Sequence, residues 1–188
     1  MTRVCYLSAV EARWYHEEVA NVYLVGFMGA GKSAVGAALA ERLGRTFVDL
    51  DRAVEEREGM TVREIFERRG EAAFRAAEAA ELGRVAASED LVVATGGGAF
   101  ASADNRELIR ASGGVSVFLD VPWPVIRERL GPADPERPKW TGDARALYLA
   151  RRADYLRADL RLGLTGGETP AEIADAAGGA LSELPCAC

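Results

Sequence analysis

Histidine, cysteine and lysine are almost missing from this chain. The one histidine is His16, and the three cysteines, Cys5, Cys186 and Cys188, stand near the two ends without metal-ligand spacing. Zinc binding and histidine-based acid–base catalysis therefore have almost no material to work with. Of 23 basic residues only Lys32 and Lys139 are lysines. No apolar run approaches the length of a membrane span, and residues 1–20 lack the basic-then-apolar order of a signal peptide. No membrane partner is expected, and the expected location is cytoplasmic. The net charge of −6 and a pI near 5.0 give no bulk attraction for nucleic acid, so any positive charge used in binding has to be local. What remains is size and apolar content. At 188 residues and 49% hydrophobic, the chain can bury one good core but not two.

Lys32 sits in Gly26-Phe27-Met28-Gly29-Ala30-Gly31-Lys32-Ser33, a complete G-x-x-x-x-G-K-[ST] pattern. Asn21 to Val25 precedes it as a β-branched and aromatic run that reads as a buried strand. Ser33 to Leu43 follows with apolar residues at helical spacing, and Gly44 stands where a helix C-cap belongs. Strand, Gly-rich loop and helix form the arrangement a phosphate cradle needs. Backbone N–H groups over Gly29, Ala30, Gly31, Lys32, Ser33 and Ala34 can curl around phosphates, helped by the positive end of the helix dipole. Lys32 would supply a mobile charge for the β- and γ-phosphates, and the Ser33 hydroxyl a Mg2+ ligand. The competing reading is a Gly-rich turn with no ligand.

Strand-like and helix-like segments keep alternating. Thr46 to Val48 reads as a second strand leading into Asp49-Leu50-Asp51. Residues 51–58 and 61–69 read as polar helices broken at Gly59, and 71–87 as a third helix. Leu91 to Ala94 is a third strand, ending in Thr95-Gly96-Gly97-Gly98. A helix over 103–111 precedes a fourth strand, Val115 to Leu119, and another helix runs from Pro122 to Leu130. Gly131 to Asp143, with Pro132, Pro135 and Pro138 among charges, reads as a mobile loop. Residues 144–159 read as a helix, 160–164 as a short last strand and 170–182 as a closing helix. Repeated βα units of this kind predict an α/β fold, a parallel sheet with helices on both faces and ligands at the carboxyl ends of its strands. The P-loop, Asp49 with Asp51, Gly96–Gly98 and the proline-rich loop would then share one rim.

The acceptor side is read from three motifs. Asp49 and Asp51 alternate along an extended segment, so one can face magnesium while the other faces an acceptor hydroxyl. Helix capping by Asp51 is the plainer alternative. Arg75 lies three residues before Glu78, so on a helix the acid can hold the guanidinium in place, unless the two are an ordinary surface pair. Three successive glycines, Gly96 to Gly98, suggest close approach of something to the main chain, or else a tight turn.

Taken in order, G-F-M-G-A-G-K-S, F-V-D-L-D, G-E-A-A-F-R-A-A-E, A-T-G-G-G and the E-R-P of the proline-rich loop make the chain resemble a shikimate kinase over about residues 21–182. The resemblance implies a three-layer P-loop kinase fold on a five-stranded parallel sheet. It implies transfer of the ATP γ-phosphoryl group to the 3-hydroxyl of shikimate, with Mg2+, in aromatic amino acid biosynthesis. By motif position Asp51 would contact the acceptor hydroxyls as base or orienter, and Asp49 would lie near the metal through water. Arg75 and Arg151 would bind the shikimate carboxylate, with Gly96, Gly97 and Gly98 packed against the ring. Arg137 would close over the phosphates, and Arg129 would meet the adenine. The implied partners are the small molecules ATP and shikimate, with the protein a monomer.

The chain departs from the family pattern after Arg137. Lys139-Trp140 stands where Leu-Leu is usual, the stretch to Arg151 is several residues short, and Arg152 is an alternative to Arg151. In this reading residues 1–20 are an extension, 21–183 a single domain with acceptor-binding helices about 51–87 and a lid about 131–143, and 184–188 a tail. Cys186-Ala187-Cys188 is similar to the doubly prenylated tails of some small GTPases, but neither Asn21 nor Asn105 begins an Asn-Lys-x-Asp base-reading motif. Other readings are a different small-metabolite kinase of this fold, such as a gluconate kinase, and a non-catalytic nucleotide-binding relative.

Overall fold

Five short strands, rich in β-branched and aromatic residues, line up in parallel in the order β2-β3-β1-β4-β5. The computed structural model describes residues 19–131 and 144–184. The strands are β1 (Asn21–Val25), β2 (Thr46–Asp49), β3 (Leu91–Ala94), β4 (Val115–Asp120) and β5 (Leu160–Gly163). The helices are α1 (Lys32–Leu43), α2 (Leu50–Glu58), α3 (Val62–Ala86), α4 (Ala103–Ala111), α5 (Trp123–Leu130), α6 (Ala144–Tyr155) and α7 (Pro170–Ser182), with a 3₁₀ turn at Ala99–Ala101. β1 is buried at every residue because it is flanked by strands on both sides and covered by helices on both faces, so its continuous apolar run is required. Its register places Asn21 opposite Leu91 and Val22 opposite Val115. All carboxyl ends therefore meet along one rim, as the βα alternation predicts.

Most of the core lies around this sheet, with Leu24, Leu39, Phe118 and Ile126 among its buried members. A second, smaller cluster of Val54, Ile65 and Phe74 joins α2 to α3 away from the sheet. α3 starts with a capping box. Thr61 accepts from the Glu64 N–H, and Glu64 accepts from the Thr61 N–H at 2.9 Å.

Two readings of the sequence are corrected. The segment holding Asp49 and Asp51 is not extended throughout. Asp49 ends β2 and caps α2, accepting from the Arg52 N–H, while Asp51 already lies in the first helical turn. The two carboxylates are thus oriented by a strand-to-helix turn rather than by strand alternation. The capping residue is Asp49, not Asp51. Second, the helix placed over 144–159 ends at Tyr155. The reason is Asp159, whose carboxylate accepts from the backbone N–H and hydroxyl of Ser116 and so ties the chain to β4 in time to start β5. The helices placed at 61–69 and 71–87 are found as placed: α3 is two helices joined across a kink at Gly70, whose φ of 81° and ψ of 170° are not helical. Arg137, His16 and the three cysteines lie outside the described residues.

Candidate active site

The site begins where β1 ends. Gly31, at φ 92°, turns the chain into α1 without a side-chain cap, so the helix's first N–H groups are left for a ligand, and no acidic residue occupies the first turn. These are the features of an anion site. Lys32 folds back over the loop, its Nζ donating to the carbonyls of Gly26 and Phe27 at 2.9 and 3.0 Å. Next to it the Ser33 hydroxyl donates to Asp49 Oδ2 at 2.6 Å. A hydroxyl and a carboxylate side by side, facing the cleft, are the hard oxygen donors that suit Mg2+. Among the described residues no cluster of three or more acids, histidines or cysteines forms a metal cage. Magnesium needs none, because it is held by one or two carboxylates together with phosphate oxygens and water.

The acceptor end is assembled from α2, α3, α6 and the glycine run after β3. The break at Gly70 redirects α3 so that Arg75 and Glu78 face the rim. Arg75 donates to Glu78 Oε2 at 2.6 Å, lies 3.6 Å from Glu71 and sits over the Phe74 ring. Arg151, on α6, is 8% exposed and reaches the same place. The three glycines explain why. A Cβ on Gly96 would collide with Asp51 and Glu78, one on Gly98 would lie 2.5 Å from the Arg75 guanidinium, and one on Gly97 would lie 3.3 Å from that of Arg151. Each glycine clears room for a different side chain. The Tyr155 hydroxyl donates to the Gly97 carbonyl and fixes the loop from below.

The result is a cleft of about 390 Å³ with two unlike ends. Gly29, Lys32, Ser33 and Asp49 line one, and Asp51, Arg75, Glu78, Gly96–Gly98 and Arg151 line the other. Burial pushes the Asp51 carboxyl above the usual range, with the Lys32 charge pulling the other way and Asp49 adding to the rise. Burial likewise raises Glu78, against the opposing charge and hydrogen bond of Arg75. It also raises the Tyr155 phenol, against Arg151. A cleft that pairs a phosphate cradle with two guanidiniums and a buried carboxylate can hold a triphosphate and a small hydroxy acid together.

The sequence-derived residues fall as follows. Lys32, Ser33, Asp49, Asp51, Arg75, Gly96, Gly97, Gly98 and Arg151 converge on the cleft. Ala30 is buried inside the P-loop, and Ala34 follows on α1. Arg129 stands at the loop's outer side, donating to the carbonyls of Gly29 at 3.4 Å and Gly166 at 3.1 Å. Arg152, the alternative to Arg151, is used elsewhere. It makes two hydrogen bonds to Asp120, at 2.9 and 2.7 Å, and Arg161 binds the same carboxylate at 2.8 Å. That triad was not found from sequence, since its members sit on three elements with no local spacing to mark them.

A family model described as shikimate kinase matches residues 28–181. A shikimate kinase from Persephonella marina is 42% identical over 156 residues, covering 81% of this chain and 93% of its own length. One from Symbiobacterium thermophilum is 46% identical over 144 residues, covering 73% and 82%. Among solved structures, a shikimate kinase from Acinetobacter baumannii in complex with shikimate has a TM-score of 0.80 at 36% identity, covering 88% of this chain and 94% of that one.

Proposed function

The chain belongs to the shikimate kinase family, and on that premise we propose that it transfers the γ-phosphoryl group of ATP to the 3-hydroxyl of shikimate. The observation that carries this reading is the single cleft in which the P-loop faces two converging arginines and Asp51. Two planar guanidiniums, Arg75 and Arg151, suit one carboxylate and fix the orientation of a rigid ring acid. Asp51 is then beside the hydroxyl nearest the phosphates, where it orients the attacking oxygen and accepts its proton. Lys32 exchanges its two carbonyl contacts for phosphate oxygens and offsets charge developing at the γ-phosphoryl group. Ser33, with Asp49 through water, would hold Mg2+, and the ion would supply positive charge to offset the negative charge of the phosphates. Arg137, outside the described residues, adds a further positive charge to the phosphates, and Arg129 meets the adenine near Gly166. The protein acts as a monomer in the cytoplasm. Among the described residues no helix is long and apolar enough to cross a membrane.

The test is a coupled ADP-release assay with Mg2+-ATP and shikimate, gluconate or no acceptor. Turnover with shikimate and none above background with gluconate is expected. Comparable turnover on gluconate, or none on either, overturns the assignment in favour of another metabolite kinase or a non-catalytic relative.

A further inference from the structure

α6 carries two arginines in succession, and they are used differently. Tyr148, Arg151 and Tyr155 are the buried residues of this helix, and their spacing puts them on one face. From that face Arg151 lines the cleft. Arg152 lies about 100° further round the helix. It lines a separate hollow with Asp120, Trp123 and Arg161, where its guanidinium holds both oxygens of Asp120, at 2.9 and 2.7 Å. Turning α6 by one residue would exchange the two arginines, so whatever fixes the rotation of this helix decides which guanidinium meets the acceptor. We propose that Arg152 is a positioning residue for the acceptor site. Its two-pronged bond to Asp120 sets the rotation of α6 and thereby places Arg151 beside Gly97.

Asp120 suits this task because it is a fixed point. It ends β4, its carboxylate is 6% exposed, and Arg161 of β5 donates to the same carboxylate at 2.8 Å. A bidentate arginine–carboxylate pair has one geometry, so it passes that fixed position on to the helix as a single contact would not. One turn earlier the Tyr148 hydroxyl donates to the Val121 carbonyl at 3.0 Å, next to Asp120. One turn later the Tyr155 hydroxyl donates to the Gly97 carbonyl. Arg151 is thus set between tethered turns, and its guanidinium comes within 3.3 Å of the place a Cβ on Gly97 would take, which leaves little room for a turned helix. Arg75 is held in another way, by Glu78 on its own helix at 2.6 Å. Asp120 also occupies a guanidinium that, unpaired, would stand next to Arg151 and compete for the same ligand. The role in catalysis rests on the proposed acceptor, whose carboxylate Arg151 meets, whereas the placing of Arg151 does not.

Two variants separate positioning from stability. Arg152→Gln breaks the tether of α6, whereas Arg161→Gln removes the other partner of the same carboxylate and leaves α6 tied. Arg152→Gln should raise the Michaelis constant for shikimate about 5–50-fold and keep that for ATP within about twofold of wild type. Arg161→Gln should leave both within about twofold. In an Arg151→Gln background Arg152→Gln should add nothing, because it acts through the residue already lost. Equal effects of the two single variants on shikimate, or an undiminished effect in that background, overturn the proposal. Side-chain NMR of the free protein gives a reading without any acceptor. The Arg151 Nε–H signal, identified by its loss in Arg151→Gln, should move or broaden in Arg152→Gln and stay in place in Arg161→Gln. A signal unmoved in Arg152→Gln overturns the proposal. If Arg152→Gln does not fold, Arg152→Lys, which keeps the charge and loses the second prong, takes its place with the same expected signs. A wild type inert towards shikimate in which the Arg151 signal still moves on breaking the tether keeps the positioning role and overturns the proposed acceptor instead.

Discussion

Arg75 and Asp51 line one cleft, and under the proposed function they act on different parts of the acceptor, so their removal should separate in kinetics. Arg75→Ala takes away a guanidinium that, as proposed, meets the acceptor carboxylate and not the nucleotide. The Michaelis constant for shikimate should rise about 10–100-fold with little change in that for ATP, since a charge-assisted bidentate contact is worth about 1.5–3 kcal/mol. Asp51→Asn keeps the shape and removes the proposed proton acceptor, so the loss should fall on kcat, by about 10²–10⁴-fold. Steady-state kinetics with both substrates varied checks this, and equal loss of ATP affinity in both variants would place the acceptor elsewhere. A third residue works by pH. Burial alone would raise Asp120, but the hydrogen bonds and charges of Arg152 and Arg161 outweigh it and hold the carboxyl below its usual range. A lowered folded-state value means stability that is present above the unfolded value, about 3.9, and lost as pH falls through the folded one. Asp120→Asn should therefore destabilise by about 1–3 kcal/mol at neutral pH. This is less than for a fully buried pair, because both arginines reach water. In denaturant titrations the gap to wild type should close in strong acid.

Gly70 shows how one residue shapes an element. Its φ of 81° with ψ of 170° is a region open almost only to glycine, and it stands between the first half of α3, residues 62–69, and the half that carries Phe74, Arg75 and Glu78. A Cβ there would meet nothing within 4 Å, so any cost of Gly70→Ala comes from the backbone alone. The variant should lose about 1–3 kcal/mol in chemical denaturation and, where it stays folded, weaken shikimate binding more than ATP binding. Unchanged stability would mean that the break can be ironed into a straight helix without loss. At this scale the sequence was readable wherever a signal was local. Strand runs such as Leu91–Ala94, the αL cap at Gly44 and the 103–111 helix were each marked by adjacent residues. It misled where a tertiary contact decided the boundary. Asp159 binding Ser116 stops α6 early, and Ser33 binding Asp49 fixes a turn that alternation alone reads as a strand.

Across the whole molecule the two ends of the cleft rest on different foundations. The P-loop grows out of β1 and α1, inside the large core around the sheet, whereas α2 beyond Leu50 and the first half of α3 pack through the small cluster of Val54 and Ile65 with Phe74. The motifs and the rim they share were legible, while the packing that joins them was not. Each stretch of site sequence carries its own residue types, but that Gly96, Gly97 and Gly98 make room for carboxylates from α2 and α3, for Arg151 and for Arg75 is a fact of three-dimensional packing. The unequal cores also make a prediction about motion. Local opening is governed by the apolar contacts a segment must break, so α2 and residues 62–69 should open at lower free energy than β1 or β4. Hydrogen exchange followed by mass spectrometry should show the free protein exchanging faster over 50–70 than over 21–25 and 115–120. ADP with shikimate should then slow the 50–70 segment most, because under the proposed function the acceptor links Asp51 and Arg75 to Gly97 and Arg151 on the main body. ADP alone should protect mainly the P-loop and α1. Equal protection of both regions by ADP alone would mean that the acceptor-binding helices are already as rigid as the sheet, and that shikimate enters a site needing no further ordering.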